Sequence, residues 1–133
     1  MGIYSEYLSK NLSFEQITAE RKAQLGRIST LRGGRDVLVF AADLTKGNTP
    51  ISVYYGDLLP INDQLANLKS RKLDFILETP GGSGEVAEDI VRSLRGQFDE
   101  IAVLVPGTAK SAGTIMAMAG DEILMQPSPD ARP

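Results

Sequence analysis

The chain has 133 residues, 42% hydrophobic and 23% charged, with a formal net charge of −3, the make-up of one globular domain or a piece of one and without a basic field for nucleic acid. It contains neither cysteine nor histidine, which excludes disulfides, thiolate- or histidine-ligated metal sites, and any Ser-His-Asp triad or Cys-His pair formed from this chain alone. No run approaches the ~18 apolar residues of a membrane span, and Met1 to Leu12 lacks the regions of a signal peptide, so a cytoplasmic protein without a membrane-spanning segment is expected.

Residues 1 to 12 are polar and carry no clear period, which predicts a loosely packed or poorly ordered start. Ser13 with Gln16 makes a capping box, and Phe14, Ile17, Leu25 and Ile28 fall near helical spacing. A helix over about 14 to 31 follows, stopped by Gly33 and Gly34. Val37 to Ala42 reads as a buried strand, and Lys46 to Pro50 as a polar loop. Asp57 is placed to cap a helix with Pro60 in its first turn and Ile61, Leu65 and Leu68 on one face. Leu73 to Thr79 is a strand ended by Pro80-Gly81-Gly82. Ser83 and Glu85 open a helix with Val86, Ile90, Val91 and Leu94 as its apolar stripe. Ile101 to Val105 is a strand, Ser111 to Ala119 a buried helix of small residues, and Asp121 to Met125 the start of a further strand. Such alternation predicts an α/β fold of repeated β-α units with a largely parallel sheet. Three prolines between Gln126 and Pro133 read as an irregular tail, so the fold is expected to be incomplete at its C-terminal end. The expected organisation is an N-terminal segment and helix over 1–35, a core over 36–125, and the tail over 126–133.

Two strand-to-helix turns could carry chemistry, Glu78 to Gly84 and Pro106 to Thr114. In a parallel sheet both lie at the carboxyl ends of strands, where open α/β sheets place their sites. Helix N-termini offer free amides suited to an oxyanion, and glycine lets a substrate approach the backbone. Read singly, Ser83 and Ser111 are each helix caps, and Met116 and Met118 are core.

Together the turns resemble something more specific. Phe75-Ile76-Leu77-Glu78-Thr79-Pro80-Gly81-Gly82 and the run from Lys110-Ser111-Ala112-Gly113-Thr114 to Ile123 resemble the Clp/crotonase-fold serine peptidases. The resemblance is nearest to the serine dehydrogenase proteinase-like branch, related to the Clp protease and signal peptide peptidase A. It spans about residues 36 to 125 and implies a Clp/crotonase-like core. By position it implies Ser111 as nucleophile, the amides of Gly82 and Ala112 as oxyanion hole, and a peptide or protein substrate lying along Gly81, Gly82, Ser83 and Gly84. It also implies a homo-oligomer, with no cofactor and no metal. In such relatives the general base is a histidine or lysine that follows the nucleophile. Here only Lys110 stands near, and neighbours at a turn usually point apart, so its plain reading is a solvated lysine.

Two other readings stay open. A member of the fold without a base could bind peptide or assemble with intact subunits without cleaving. Gly82-Ser83-Gly84-Glu85-Val86-Ala87 also fits the G-x-G-x-x-A form of a dinucleotide fingerprint, but the next strand ends in Pro106 rather than an acidic residue. A phosphate loop ending at Lys110-Ser111 lacks its glycine, since position 109 is Ala.

Overall fold

A computed structural model of the chain describes residues 2–46 and 51–126, excepting the side chains of Ile3 and Tyr4. Its elements run α1 (Ile3–Ser9), α2 (Phe14–Leu31), β1 (Asp36–Ala41), a 3-10 turn (Tyr55–Asp57), α3 (Leu58–Leu65), β2 (Lys72–Glu78), α4 (Gly84–Gln97), β3 (Glu100–Val105), α5 (Ala112–Met118) and β4 (Glu122–Met125). Most of the loop expected over 46–50 and of the tail expected over 126–133 lies outside the described residues. The chain divides into two compact units, one ending at Gly34 and the other beginning at Arg35.

The first unit is a helical hairpin. The Ser13–Gln16 capping box forms in full, with Gln16 N donating to Ser13 Oγ and Ser13 N to Gln16 Oε1. The start of the chain departs from expectation, because residues 3–9 form a helix. Its tie is polar, which is why hydrophobic spacing misses it. Tyr7 donates its hydroxyl to Glu20 Oε2 at 3.4 Å and accepts from Gln24 Nε2 at 2.9 Å. No described residue of α2 is buried.

The second unit is a four-stranded, wholly parallel sheet in the order β1-β2-β3-β4. Parallel strands in sequential order are joined by crossovers, which lay successive helices side by side when they share a face of the sheet. Accordingly α3 packs on α4, and α4 on α5. One face of the sheet feeds the core. Leu73, Phe75 and Leu77 of β2 alternate into it, joined by Ile101, Val103 and Val105 of β3 and Leu38 of β1. Val86, Ala87, Ile90 and Leu94 of α4 and Met116 of α5 complete the same cluster. Asp57 does not cap α3 as expected. Its carboxylate accepts from Tyr54 N at 3.0 Å, because the 3-10 turn has already brought that amide within reach.

The amino-terminal edge of the sheet is tied by charge. Arg35 places Nε 2.8 Å from Asp74 Oδ1, donates from Nη2 to Leu73 O at 3.0 Å, and reaches Glu100 at 3.5 Å. The Asp74 side chain is wholly buried and that of Arg35 is 10% exposed. Nearby, Asp121 accepts from Arg95 and from Ile101 N, and these bonds hold its carboxyl below the usual carboxylate range, the Arg95 bond foremost. Removing one partner of a buried pair leaves the other charge without compensation and costs about 3–5 kcal/mol. Arg35→Ala should therefore lower the free energy of urea unfolding by about that amount. Arg35→Met combined with Asp74→Leu should lose less than either single change.

Candidate active site

The parallel pairing of β2 and β3 does not stop where the strands end. Thr79 bridges Ala109, Thr79 N donates to Thr108 O at 2.8 Å, and Lys110 N donates to Thr79 O at 3.2 Å. The ladder thus carries both turns forward together on the carboxyl edge of the sheet, and the expected juxtaposition of the Gly82 and Ser111 turns is present. The two touch at Gly81. A methyl added there would lie 2.7 Å from Ser111 Cβ and 2.8 Å from Lys110 O, and the residue has φ +114°. Only glycine meets both conditions.

Gly81 to Ser83 runs beside a segment not singled out in the sequence. Val53 N donates to Gly81 O at 2.7 Å, and Ser83 N donates to Val53 O at 2.9 Å. Val53 is buried, and a side chain at Gly82 would collide with its backbone. A second amide of this run is also occupied, since Gly81 N donates to Thr79 Oγ1 at 3.2 Å. Among the described residues the amides of Gly82 and Ala112 have no hydrogen-bond partner. Gly82 bridges Val53 with φ +143°, and Ala112 opens α5, where a helix cannot satisfy its first amides.

The two serines differ. Ser83 is the ordinary N-cap expected from the sequence, with extended backbone and Oγ accepting from Val86 N at 3.3 Å. Ser111 occupies the cap position of α5 but makes no capping bond, and its φ and ψ are +54° and −119°. With Gly113 N donating to Lys110 O at 2.9 Å, this is the first central position of a type II′ turn, which glycine normally fills. The cap reading of Ser111 is therefore replaced by a strained, exposed turn residue. Lys110 is exposed and joins the turn through its backbone. Gly84 is exposed, and a methyl on it would meet only Ile115 Cδ1, at 3.8 Å. No group of three or more acidic side chains suited to a metal occurs among the described residues.

The second unit is a parallel α/β layer whose two strand-to-helix turns, one of them raising an exposed serine, meet on the carboxyl edge of the sheet. The sequence matches the family described as ClpP-like SDH-type serine proteinase over residues 7–131, and the chain belongs to that family. An uncharacterized protein of Methanocaldococcus jannaschii is 27% identical over 123 residues, covering 89% of this chain and 43% of that relative. A second uncharacterized protein of the same organism is 38% identical over 53 residues, 40% of this chain and 18% of the relative. The chain thus spans less than half the length of these curated relatives. No solved structure matches it.

Gly113 sits where the two turns lock together. A methyl on it would lie 2.6 Å from Thr79 Cγ2. Glycine to alanine in a helix ordinarily gains up to about 1 kcal/mol. Here the new methyl must displace a buried side chain, which costs about 1–3 kcal/mol. Gly113→Ala should destabilise the chain in urea denaturation, and Thr79→Ser in the same chain should recover most of the loss.

Proposed function

We propose that this chain supplies the nucleophile and oxyanion hole of a serine peptidase. Ser111 Oγ attacks a peptide carbonyl carbon and gives up its proton to a general base as the C–O bond forms. The carbonyl oxygen becomes an oxyanion held by the amides of Gly82 and Ala112. The C–N bond then breaks, the leaving amine takes the proton, and water opens the acyl-enzyme. Substrate lies along Gly81 to Gly84, opposite the edge that Val53 occupies. The observation that carries this reading is the conformation of Ser111, strained and without a capping bond, on the same edge as two amides that lack partners. Family analogy adds assembly into a homo-oligomer and a protein or peptide substrate in the cytoplasm. No helix of the described residues is long and apolar enough to cross a membrane.

A second reading rests on two observations. Ser111 Oγ has no hydrogen-bond partner among the described residues, and the sequence holds no histidine. A member of the fold that binds peptide, or joins intact subunits, without cutting would look the same at these two turns. A general base contributes about 10²- to 10⁴-fold. The 133-residue chain should therefore turn over peptides slowly or not at all and take up a fluorophosphonate slowly at Ser111. Fusion to the remaining length of a longer relative should raise both rates, and Ser111→Ala should abolish them. Labelling that persists in Ser111→Ala rejects the nucleophile. Robust cleavage by the short chain, lost in Lys110→Ala, makes Lys110 the base. Fusion that restores peptide binding without cleavage favours the second reading.

A further inference from the structure

We propose that the open edge of β1 is a docking groove for an extended peptide segment of a partner protein, which adds a strand to the sheet, seats aliphatic side chains against α3 and carries a lysine or arginine beside Asp43. β1 is an outer strand of the sheet, and among the described residues no strand pairs with its free side. Ala42 N donates to Glu78 O at 2.9 Å. Backbone groups alternate along a strand, so those of Val37, Val39 and Ala41 turn away from β2. Val39 is 44% exposed. A row of outward amides and carbonyls is what an added peptide strand pairs with. This edge stands apart from the Gly81 and Ser111 turns, so the inference holds whether or not Ser111 is a nucleophile.

The edge opens into a groove of about 390 Å³ lined by β1 and α3. Leu38, Phe40 and Ile61 give it an apolar floor continuous with the core. An added strand turns every second side chain to that face. Aliphatic residues two positions apart would therefore enter the groove, and those between them would face away. Tyr54 forms another wall. Its ring is held against Gly56, where a methyl would lie 2.6 Å from Tyr54 Cζ. The charged residues lining the groove are Asp43 and Asp57. Thr45 donates its hydroxyl and its amide to Asp43, and these bonds hold that carboxyl below the usual carboxylate range, the hydroxyl foremost. An acidic rim around an apolar floor selects a basic segment. It also disfavours a second copy of the chain, which would bring the same carboxylates to this edge.

The test adds the acetylated, amidated hexapeptide Lys-Leu-Thr-Leu-Thr-Lys to the full chain and to its Ser111→Ala variant, and reads amide hydrogen exchange residue by residue. With excess peptide the Val39 and Ala41 amides should gain roughly 5-fold or more protection in both proteins. Only one set of peptide amides can face β1. Methylating both leucine nitrogens and methylating both threonine nitrogens should therefore give affinities that differ by about 10-fold or more. Asp43→Asn keeps an acceptor for Thr45 and removes the charge. It should weaken binding by about 2- to 5-fold and flatten its dependence on salt. Absence of binding, protection confined to Gly82 and Gly84, or equal affinities of the two methylated peptides overturns the proposal. Protection of Val39 and Ala41 without peptide that rises with protein concentration assigns the edge to a second copy and overturns it as well.

Discussion

Gly81 and Ser111 approach so closely that a single methyl on Gly81 would sit 2.7 Å from Ser111 Cβ. The spacing between the serine and the amides of the neighbouring turn depends on that contact. It is a backbone constraint, since the strand ladder is prolonged through Thr79 and Ala109 beyond the last regular residues of β2 and β3. Two turns joined by main-chain hydrogen bonds keep their separation when surface side chains change. The site proposed above, two amides and one hydroxyl, would need that rigidity, because a shift of about 1 Å is enough to impair catalysis.

The rest of the α/β unit holds this edge in place. Phe75, Leu77 and Thr79 point to the same face of β2 and are wholly buried. The side chain that braces the turn is thus the next in the row that builds the core. At the opposite edge the sheet is tied by ion pairs, with Arg35 on Asp74, Arg71 on Asp99 and Arg95 on Asp121. The division of labour is physical. Charged side chains tolerate the amino edge, where they meet strand starts and helix ends. Glycine and small residues line the carboxyl edge, where the Gly81 and Ser111 turns come into contact.

Much of this arrangement was legible in the sequence, and the gaps have identifiable causes. Mostly apolar runs of five to seven residues marked β1, β2 and β3 to within a residue or two of where they lie. The Ser13 box and the Ser83 cap were readable because capping uses neighbours in sequence. Helix α1 was missed because what joins it to α2 is Tyr7 with Glu20 and Gln24, a polar contact across 13 and 17 positions. The Val53 pairing was missed for a similar reason, since one residue bridging to another leaves no period to detect. Asp57 was read as a side-chain cap of α3 from its position, but its carboxylate was spent on Tyr54 N one turn earlier. The placing of both turns on one edge was legible in the alternation of strands and helices, whereas the hydrogen bond from Gly81 N to Thr79 Oγ1 has no mark in the sequence.

Ser83 and Ser111 show how far a cap and a strained turn can be told apart. Both stand one residue before a helix, and sequence offers the same plain reading for each. A cap has extended backbone and an oxygen turned onto the amides of the first turn, a conformation that stabilises the helix by about 1 kcal/mol. Ser83 meets that description. Ser111 gives up the capping bond and accepts a backbone geometry that costs on the order of 1–3 kcal/mol for a residue with a side chain. Glycine at 111 would relieve the strain, and Asp or Asn with extended backbone would cap the helix. Neither would raise a hydroxyl from a type II′ turn beside the Gly81–Gly82 backbone. Local stability favours both alternatives over the serine that is present, so the conformation of Ser111 supports a chemical role better than a structural one.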